Sequence, residues 1–244
     1  MADLWVTTLG EVPYPDGIAL QQRLRDARQA DAIPDCLLLL EHPPVYTRGR
    51  RAQPGDLPRG EAWYRARGID VHDSDRGGQV TYHGPGQLVG YPIVRVRSVR
   101  DYVETMEGAM IAALRDEGIP ASVADGLTGV WVGRAKIGSI GIHVSRGVTT
   151  HGFAVNVDND LAPFQWVATC GVDGAEMTSV AREKEAAGQG AASMSCFRKR
   201  TAFRFAEAFG LRQRIVTPAR LLSVARIAPA HQPSPTSAFA HSAA

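Results

Sequence analysis

Glycines and prolines are concentrated in one segment, residues 76–92, which reads RGGQVTYHGPGQLVGYP. Five glycines, two prolines and one histidine fall within these 17 positions, yet apolar residues still alternate as they do in strands. Gly84-Pro85-Gly86 predicts a tight turn, and the other glycines let backbone N–H groups approach a ligand closely. The segment therefore predicts strands that carry a binding surface, with His83 held at a bend rather than buried within a strand. A plain turn of a β-hairpin is the alternative.

Composition and charge limit the class of protein. The 244 residues are 44% hydrophobic and 21% charged, which is enough for one large domain with an apolar core. A net charge of +2 predicts no nucleic-acid partner, and the sequence predicts neither a secretion signal nor a membrane span. Three cysteines without a CxxC pair argue against disulfides and zinc, so a cytoplasmic location is expected.

Residues 48–68 are rich in arginine and are interrupted by proline and glycine, which predicts an exposed loop. The stretch contains only two carboxylates. A solvated surface would explain this composition, and a docking surface for an acidic partner is the alternative. The arginines are Arg48, Arg50, Arg51, Arg59, Arg65 and Arg67.

Apolar periodicity predicts strands in clusters, separated by helices. Predicted strands cover residues 4–10, 36–42, 45–47, 69–72, 79–83, 87–96, 129–133, 136–145 and 148–157. Predicted helices cover about 16–30, 101–117, 193–209 and 218–225, with a capping box at Asp101 and Glu104. The order favours an α+β fold of mixed β-sheets with flanking helices in a single domain.

The domain is predicted to span residues 1–215, followed by a C-terminal segment over 216–244. Residues 181–193 are predicted to form an exposed loop. The last residues, about 15 of them, contain too little apolar material to become ordered.

The three cysteines have different neighbours in the sequence. Cys36 opens a run of four leucines and Cys196 has helical neighbours, so both are predicted to be packing residues. Cys170 instead lies between Thr169 and Gly171, where a bend would place its sulfur beside backbone N–H groups. Cys170 is the candidate nucleophile, with an unreactive cysteine as the alternative.

A nucleophilic Cys170 needs a basic neighbour, because a free thiol titrates at about 8.5 and is mostly protonated at neutral pH. Lys136 stands out, since only three of the 27 Lys and Arg residues are lysines and its neighbours in the sequence are apolar. Partial burial would lower its pKa and make it a proton acceptor. The alternatives are a Lys136 that faces water, and His83, His143 or His151 as the base.

The sequence predicts no metal and no nucleotide cofactor. The histidines show neither HExxH nor a His/Cys quartet, and no GxxxxGK[ST] loop is present. The glycines after Arg76 do not lead into the helix that a dinucleotide fingerprint requires.

Three segments together resemble the lipoyl(octanoyl) transferases, a family with the biotin/lipoate ligase-like fold. They are RGGQVTYHGPGQLVGYPI at 76–93, AKIGSIGIHVSRGVTTHGFAVNV at 135–157 and PFQWVATCGVDGAEMTSV at 163–180. The resemblance covers roughly residues 4–185, and nothing is carried over to the residues that follow.

The resemblance implies that Cys170 forms an acyl thioester and that Lys136 lowers its pKa. The implied contacts with the acyl substrate are Arg76, Gly77, Gly78, Gln79, Val80, Thr81, Tyr82, His83, Ser139, Ile140, Gly141, Gly152, Phe153 and Ala154. Candidate oxyanion donors are the backbone N–H groups of Gly77, Gly78 and Gly171. Candidate walls of an acyl tunnel are Val80, Tyr82, Leu88 and Ile140.

The implied reaction moves an octanoyl group from octanoyl-acyl carrier protein to a lysine of a lipoyl domain. The implied acceptors are lipoyl domains of 2-oxoacid dehydrogenase E2 subunits and the glycine cleavage H protein. Exchange between thioesters is nearly isoenergetic and amide formation runs downhill, so no ATP or other cofactor is expected.

Three other functions stay open. An ATP-dependent lipoate or biotin ligase of the same fold would activate a free acid and would need no cysteine. A non-catalytic module would bind carrier domains, and the pairing of Cys170 with Lys136 would be accidental. A thiol hydrolase would use Cys170 with His83 or His151 and pass the acyl group to water.

Overall fold

The computed structural model describes residues 1–167 and 176–227, which form two β-sheets with helices packed against them. The strands are β1 (Asp3–Glu11), β2 (Asp35–Glu41), β3 (Val45–Arg48), β4 (Asp70–Asp73), β5 (Val80–His83), β6 (Gln87–Ile93), β7 (Ser122–Ala124), β8 (Leu127–Val132), β9 (Ala135–Ser145), β10 (Val148–Asn156) and β11 (Arg212–Ile215). The helices are α1 (Tyr14–Gln29), α2 (Glu61–Arg65), α3 (Val99–Arg115), α4 (Val180–Ala186), α5 (Met194–Ala208) and α6 (Pro218–Ile227).

The large sheet has eight strands in the order β11-β1-β2-β6-β10-β9-β8-β7. The strands β11, β1 and β2 are parallel, and the remaining neighbours are antiparallel. The run of leucines in β2 is buried on both faces, because alternate residues of a strand point to opposite sides. Leu37 and Leu39 pack into one core, and Leu38 and Leu40 pack into the other. This mixed sheet confirms the predicted α+β class.

Helices cover both faces of the large sheet. Helices α3 and α5 enclose the core that contains Met106, Phe153 and Phe205, and α1 and α6 cover the opposite face. Gly90 of β6 pairs with Phe153 of β10, and a Cβ at Gly90 would lie 2.1 Å from the Phe153 ring. The glycine of β6 therefore gives the Phe153 ring the room that it occupies.

The small sheet has the order β4-β3-β5 and encloses a separate aromatic core. The Tyr46 ring packs against those of Tyr64 and Tyr82, at 5.0 and 5.5 Å between centroids. The tight turn that the sequence predicts at residues 84–86 connects β5 of this sheet to β6 of the large sheet. The Gly-rich segment therefore joins two sheets, and the plain hairpin alternative is wrong.

The predicted loops at 48–68 and 181–193 each contain a helix. Helix α2 forms in the first, where the hydroxyl of the fully buried Tyr64 donates to the carbonyl oxygen of Trp166 at 2.8 Å. Helix α4 forms in the second and is capped by Ser179. The sequence prediction missed both helices because the two stretches are polar, and tertiary contacts stabilise them.

The structure corrects two further details of the sequence prediction. The N-cap of α3 is Ser98, whose Oγ accepts a hydrogen bond from the N–H of Asp101 at 3.2 Å, so Asp101 lies inside the first turn. Strand β11 was not predicted, and it adds a parallel edge strand beside β1. In the predicted C-terminal segment, Leu221 of α6 is fully buried. The tail predicted to be disordered lies outside the described residues.

None of the helices in the described ranges is both long enough and apolar enough to cross a membrane.

Candidate active site

A cavity of about 730 Å³ lies between the glycine-rich segment and the strands β8, β9 and β10. Lys136 lines it, together with all of the predicted acyl-contact residues except Gly77 and Tyr82. These residues come from four separate stretches of the sequence. They lie in β9, in β10, in β5 and in the segment before β5, and the fold brings them together around the cavity. Their contact with an acyl substrate remains a prediction.

Lys136 is buried at the cavity wall, with a relative exposure of 6%. Its side chain crosses Gly129, where an added Cβ would lie 2.8 Å from Cε, and its Nζ lies 5.2 Å from the centroid of the Trp131 ring. No carboxylate within the described residues forms an ion pair with Nζ. The predicted burial of Lys136 is confirmed, and the alternative of a water-facing lysine is wrong.

The backbone of Lys136 pairs with the chain that follows the predicted nucleophile. Its N–H donates to the carbonyl oxygen of Glu176 at 2.8 Å, and its carbonyl oxygen accepts from the N–H of Thr178 at 3.0 Å. Cys170 itself lies outside the described residues. Glu176 follows Cys170 by six positions in the sequence, and it is the first described residue after the gap that contains Cys170.

The other two cysteines differ in their surroundings, so the predicted packing role is confirmed for Cys36 and wrong for Cys196. Cys36 is fully buried in β2, and burial raises the pKa of its thiol to about 12. Cys196 is exposed near the start of α5. Neither lines the cavity.

Arg76 fixes the shape of the glycine-rich loop. Its guanidinium donates to Thr47, with Nε 3.1 Å from Oγ1 and Nη2 2.6 Å from the carbonyl oxygen, and to the carbonyl oxygens of Gly77 and Gln79 at 2.9 and 2.8 Å. There is no room for a Cβ at Gly49, where it would lie 2.4 Å from the Gly78 carbonyl oxygen. The sequence identified Arg76 as a substrate contact and did not predict this structural role.

The structure changes the set of candidate oxyanion donors. The N–H of Gly77 donates to the carbonyl oxygen of Ile142 at 2.9 Å, so it is already occupied. Gly78 lines the cavity with a φ of +88°, a conformation that glycine adopts readily. Gly171 lies outside the described residues. Gly78 is therefore the candidate donor that the described part of the chain offers.

A chain of hydrogen bonds fixes the ring of His83. Asn156 donates from Nδ2 to the carbonyl oxygen of Thr178 at 3.0 Å, which leaves its Oδ1 to accept from Gln87 Nε2 at 2.9 Å. Gln87 Nε2 also donates to the carbonyl oxygen of Tyr82 at 3.2 Å, so Gln87 Oε1 must be the acceptor for His83 Nδ1 at 2.7 Å. The imidazole therefore carries its proton on Nδ1, and its Nε2 accepts no hydrogen bond from a described residue.

His83 is buried, contrary to the prediction. It is the last residue of β5 and directly precedes the predicted turn, but its relative exposure is only 7%. Burial and the nearby His42 lower its pKa to about 3. A neutral imidazole with so low a pKa is a weak proton acceptor, which counts against His83 as the base for a thiol.

His151 is held in an unusual backbone conformation beside a carboxylate. Its φ is +57°, its N–H donates to Gln21 Oε1 at 2.6 Å, and its Nε2 lies 2.6 Å from Asp75 Oδ1. Burial lowers the pKa of His151, and the hydrogen bond from His151 lowers the pKa of Asp75 to about 2. His143 also approaches Asp75, at 3.7 Å. Sequence reasoning missed Asp75, because nothing in its local pattern links it to His151.

Two of the four residues predicted as tunnel walls do not line this cavity. Val80 and Ile140 line the cavity, but Leu88 is buried in the core beneath α3, and Tyr82 belongs to the aromatic core. The cavity also has an indole wall that the sequence did not predict, formed by Trp131.

Within the described residues, no group of three or more His, Cys, Asp or Glu side chains is placed to hold a metal ion.

Comparisons with known proteins converge on one family. A model of the lipoyl protein ligase A/B catalytic domain matches residues 13–201. An octanoyltransferase of Mycobacterium ulcerans is 46% identical over 194 residues, which cover 75% of this chain and 80% of that protein. A mitochondrial octanoyltransferase of Arabidopsis thaliana is 42% identical over 187 residues, with coverages of 75% and 80%.

Solved structures confirm the predicted ligase-like fold. A lipoate-protein ligase A bound with ATP has a TM-score of 0.69 at 19% identity, covering 93% of this chain and 94% of that one. The bipartite lipoate protein ligase of Thermoplasma acidophilum has a TM-score of 0.67 at 19% identity, with coverages of 93% and 92%. At these identities the likeness concerns the fold alone.

Proposed function

The chain belongs to the octanoyltransferases of the biotin/lipoate ligase-like superfamily, and we propose that it transfers the octanoyl group through a thioester on Cys170. Octanoyl transfer for protein lipoylation follows from the family. The observation that supports the route through Cys170 is Lys136, which is buried at the cavity without a carboxylate partner in the described ranges.

In the first half-reaction, Lys136 Nζ accepts the proton of the Cys170 thiol, and the resulting thiolate attacks the carbonyl carbon of the octanoyl thioester. The bond between the acyl carbon and the donor sulfur breaks as the bond to Cys170 Sγ forms. The departing donor thiolate takes the proton back from Lys136. The N–H of Gly78, which lines the cavity, is a candidate for stabilising the oxyanion.

In the second half-reaction, the neutral amine of an acceptor lysine attacks the octanoyl-Cys170 thioester. A C–N bond forms, the C–S bond breaks, and the proton lost by the amine returns to Cys170. A thioester is higher in energy than an amide, so the reaction needs no nucleotide.

The proposed donor is octanoyl-acyl carrier protein. The proposed acceptors are lipoyl domains of 2-oxoacid dehydrogenase E2 subunits and the glycine cleavage H protein. A lipoyl domain fits the family, since the T. acidophilum ligase of the same fold belongs to a lipoylation system with its own E2 lipoyl domain. We retain the cytoplasm as the proposed location, on the cysteine content alone.

Intact-mass spectrometry after incubation with octanoyl-acyl carrier protein, without acceptor and without ATP, tests the route. We expect one octanoyl adduct on the wild-type protein and on Cys196→Ser, which removes an exposed cysteine away from the cavity. We expect none on Cys170→Ser. The adduct should disappear when a lipoyl domain is added, as octanoyl-lysine forms.

Other outcomes would identify the remaining candidates. Free octanoate without an adduct would identify a hydrolase, and transfer only with free octanoate and ATP would identify a ligase. Binding of the carrier protein without either product would identify a non-catalytic module.

A further inference from the structure

The six arginines between residues 48 and 67 do not share one environment. Arg48 binds two carboxylates, with 2.7 Å from Nε to Asp73 and 2.6 Å from Nη1 to Glu61. Arg65 binds the other oxygen of Glu61 at 2.9 Å. Acidic side chains of the protein itself therefore neutralise these two arginines.

Two more of the six lie against an indole ring. The guanidinium carbon of Arg67 is 3.5 Å from the centroid of the Trp63 ring, and that of Arg59 is 5.6 Å from it. Such cation–π contacts hold both side chains on the outer surface, at α2. Neither residue lines the cavity.

Arg50 and Arg51 differ from the other four. Both are exposed and line the cavity, and neither forms an ion pair within residues 1–167 and 176–227. Their backbones are attached to the glycine-rich loop, with the Arg50 N–H donating to the Arg76 carbonyl oxygen and the Arg51 N–H to that of Gly78, each at 3.0 Å. Their backbone hydrogen bonds thus hold two adjacent, exposed arginines at the cavity.

We propose that Arg50 and Arg51 bind the phosphate of the arm on which a carrier presents the octanoyl thioester. The proposal rests on the proposed function, since it concerns the donor of the same reaction. An acyl carrier holds its thioester on a phosphopantetheine arm, which must enter the cavity for the carbonyl carbon to reach the nucleophile. A guanidinium binds phosphate oxygens through two parallel N–H donors.

The position of the pair favours a phosphate over acidic residues of the carrier. Because both side chains line the cavity, their partner accompanies the substrate into it, whereas a protein surface stays outside. The cavity of about 730 Å³ is larger than an eight-carbon chain requires, and Gln53 and Gln79 add amide groups to its lining. A polar arm fits the space that the acyl chain leaves.

Calorimetry with two unreactive ligands tests the proposal independently of the chemistry at Cys170. S-octyl-phosphopantetheine and S-octyl-pantetheine carry a thioether and differ only in the phosphate. We expect the wild-type protein to bind the phosphorylated ligand about tenfold to a hundredfold more tightly, as for a charge-assisted hydrogen bond. In Arg50→Gln/Arg51→Gln the ratio of the two dissociation constants should fall to about one.

The matched control is Arg59→Gln/Arg67→Gln, which removes the same charge from the same stretch but outside the cavity. It should keep the wild-type ratio. A wild-type ratio of one, or a ratio that survives in Arg50→Gln/Arg51→Gln, would overturn the proposal. So would a control that loses the ratio equally, since net charge alone would then explain it.

A mass measurement separates this proposal from the proposed function. Absence of an octanoyl adduct on Cys170 would remove the thioester route, while the ratio of thioether affinities would still report on the arginines. If Arg50→Gln/Arg51→Gln keeps the ratio but loses binding to the carrier protein, the arginines contact acidic residues of the carrier and not the phosphate.

Discussion

Two regions of the cavity wall hold their titratable groups in opposite ways. Lys136 is the second residue of β9, and His151 of β10 pairs with Ile142, which lies six positions further along β9 and about 20 Å away at strand spacing. Lys136 Nζ makes no ion pair with a described residue, whereas His151 is tied to Asp75 and Gln21. The difference matters for the proposed role of Lys136, because a carboxylate partner would favour the charged ammonium and oppose proton acceptance.

The largest expected effect follows replacement of Lys136. Lys136→Met keeps an unbranched chain against Gly129 but removes the base, so octanoylation of Cys170 should slow by about 10²–10⁴-fold. Lys136→Arg should not restore the rate, because a guanidinium cannot give up its proton. The measurement is the rate of adduct formation by intact mass.

His143→Gln is the control, since His143 does not line the cavity. Its rate should stay near that of the wild type. A Lys136→Met rate within about tenfold of the wild type would mean that another group accepts the thiol proton. The difference in partners between Lys136 and His151 would then have no bearing on the reaction.

An intermediate effect concerns stability at acidic pH. Burial lowers the pKa of His42 to about 4, and burial with the nearby His42 lowers that of His83 to about 3, against an ordinary value of 6.5. Between pH 6.5 and 4 the unfolded chain binds protons that the folded chain does not, so stability falls as the pH falls. Each histidine should contribute a slope of about 1.4 kcal/mol per pH unit in this window.

Urea unfolding at pH 7, 6 and 5 measures this slope. His83→Gln should be less stable than the wild type at pH 7, but its free energy of unfolding should fall less steeply with acidification. Parallel slopes for the two proteins would show that folding does not change the protonation of His83 in this pH range, which would contradict its lowered pKa. Asp75 does not interfere, because its pKa of about 2 in the folded protein and its ordinary value of 3.8 both lie below pH 5.

The smallest effect is spectroscopic. In protein labelled with ¹⁵N-histidine, His83 should show a protonated Nδ1 and an unprotonated Nε2 at neutral pH, since Gln87 Oε1 is its fixed acceptor. Gln87→Leu removes that acceptor and should shift the ring toward the opposite tautomer. The control is Gln53→Leu, because Gln53 lines the cavity without contacting His83. It should leave the ¹⁵N signals of His83 unchanged. A protonated Nε2 in the wild type would contradict the hydrogen-bond chain.

Much of this molecule could be predicted from local pattern. The leucine run of β2, the turn after β5 and the alternation in β9 and β10 each follow from residues that are neighbours in the sequence. The prediction failed where stability comes from distant partners. Helix α2 forms because Tyr64 reaches Trp166, and β11 forms because β1 offers a free edge.

Residue type and spacing were enough to predict the fold class, the glycine-rich segment and the burial of Lys136. The tertiary structure set the partners of the polar and charged groups. In the folded protein the N–H of Gly77 is hydrogen-bonded, and His83 is buried as one tautomer. His151 contacts Asp75, and Arg50 and Arg51 line the cavity. The physical reason is that hydrogen bonds and ion pairs act over a few ångströms in space, between groups that the chain separates by tens of residues.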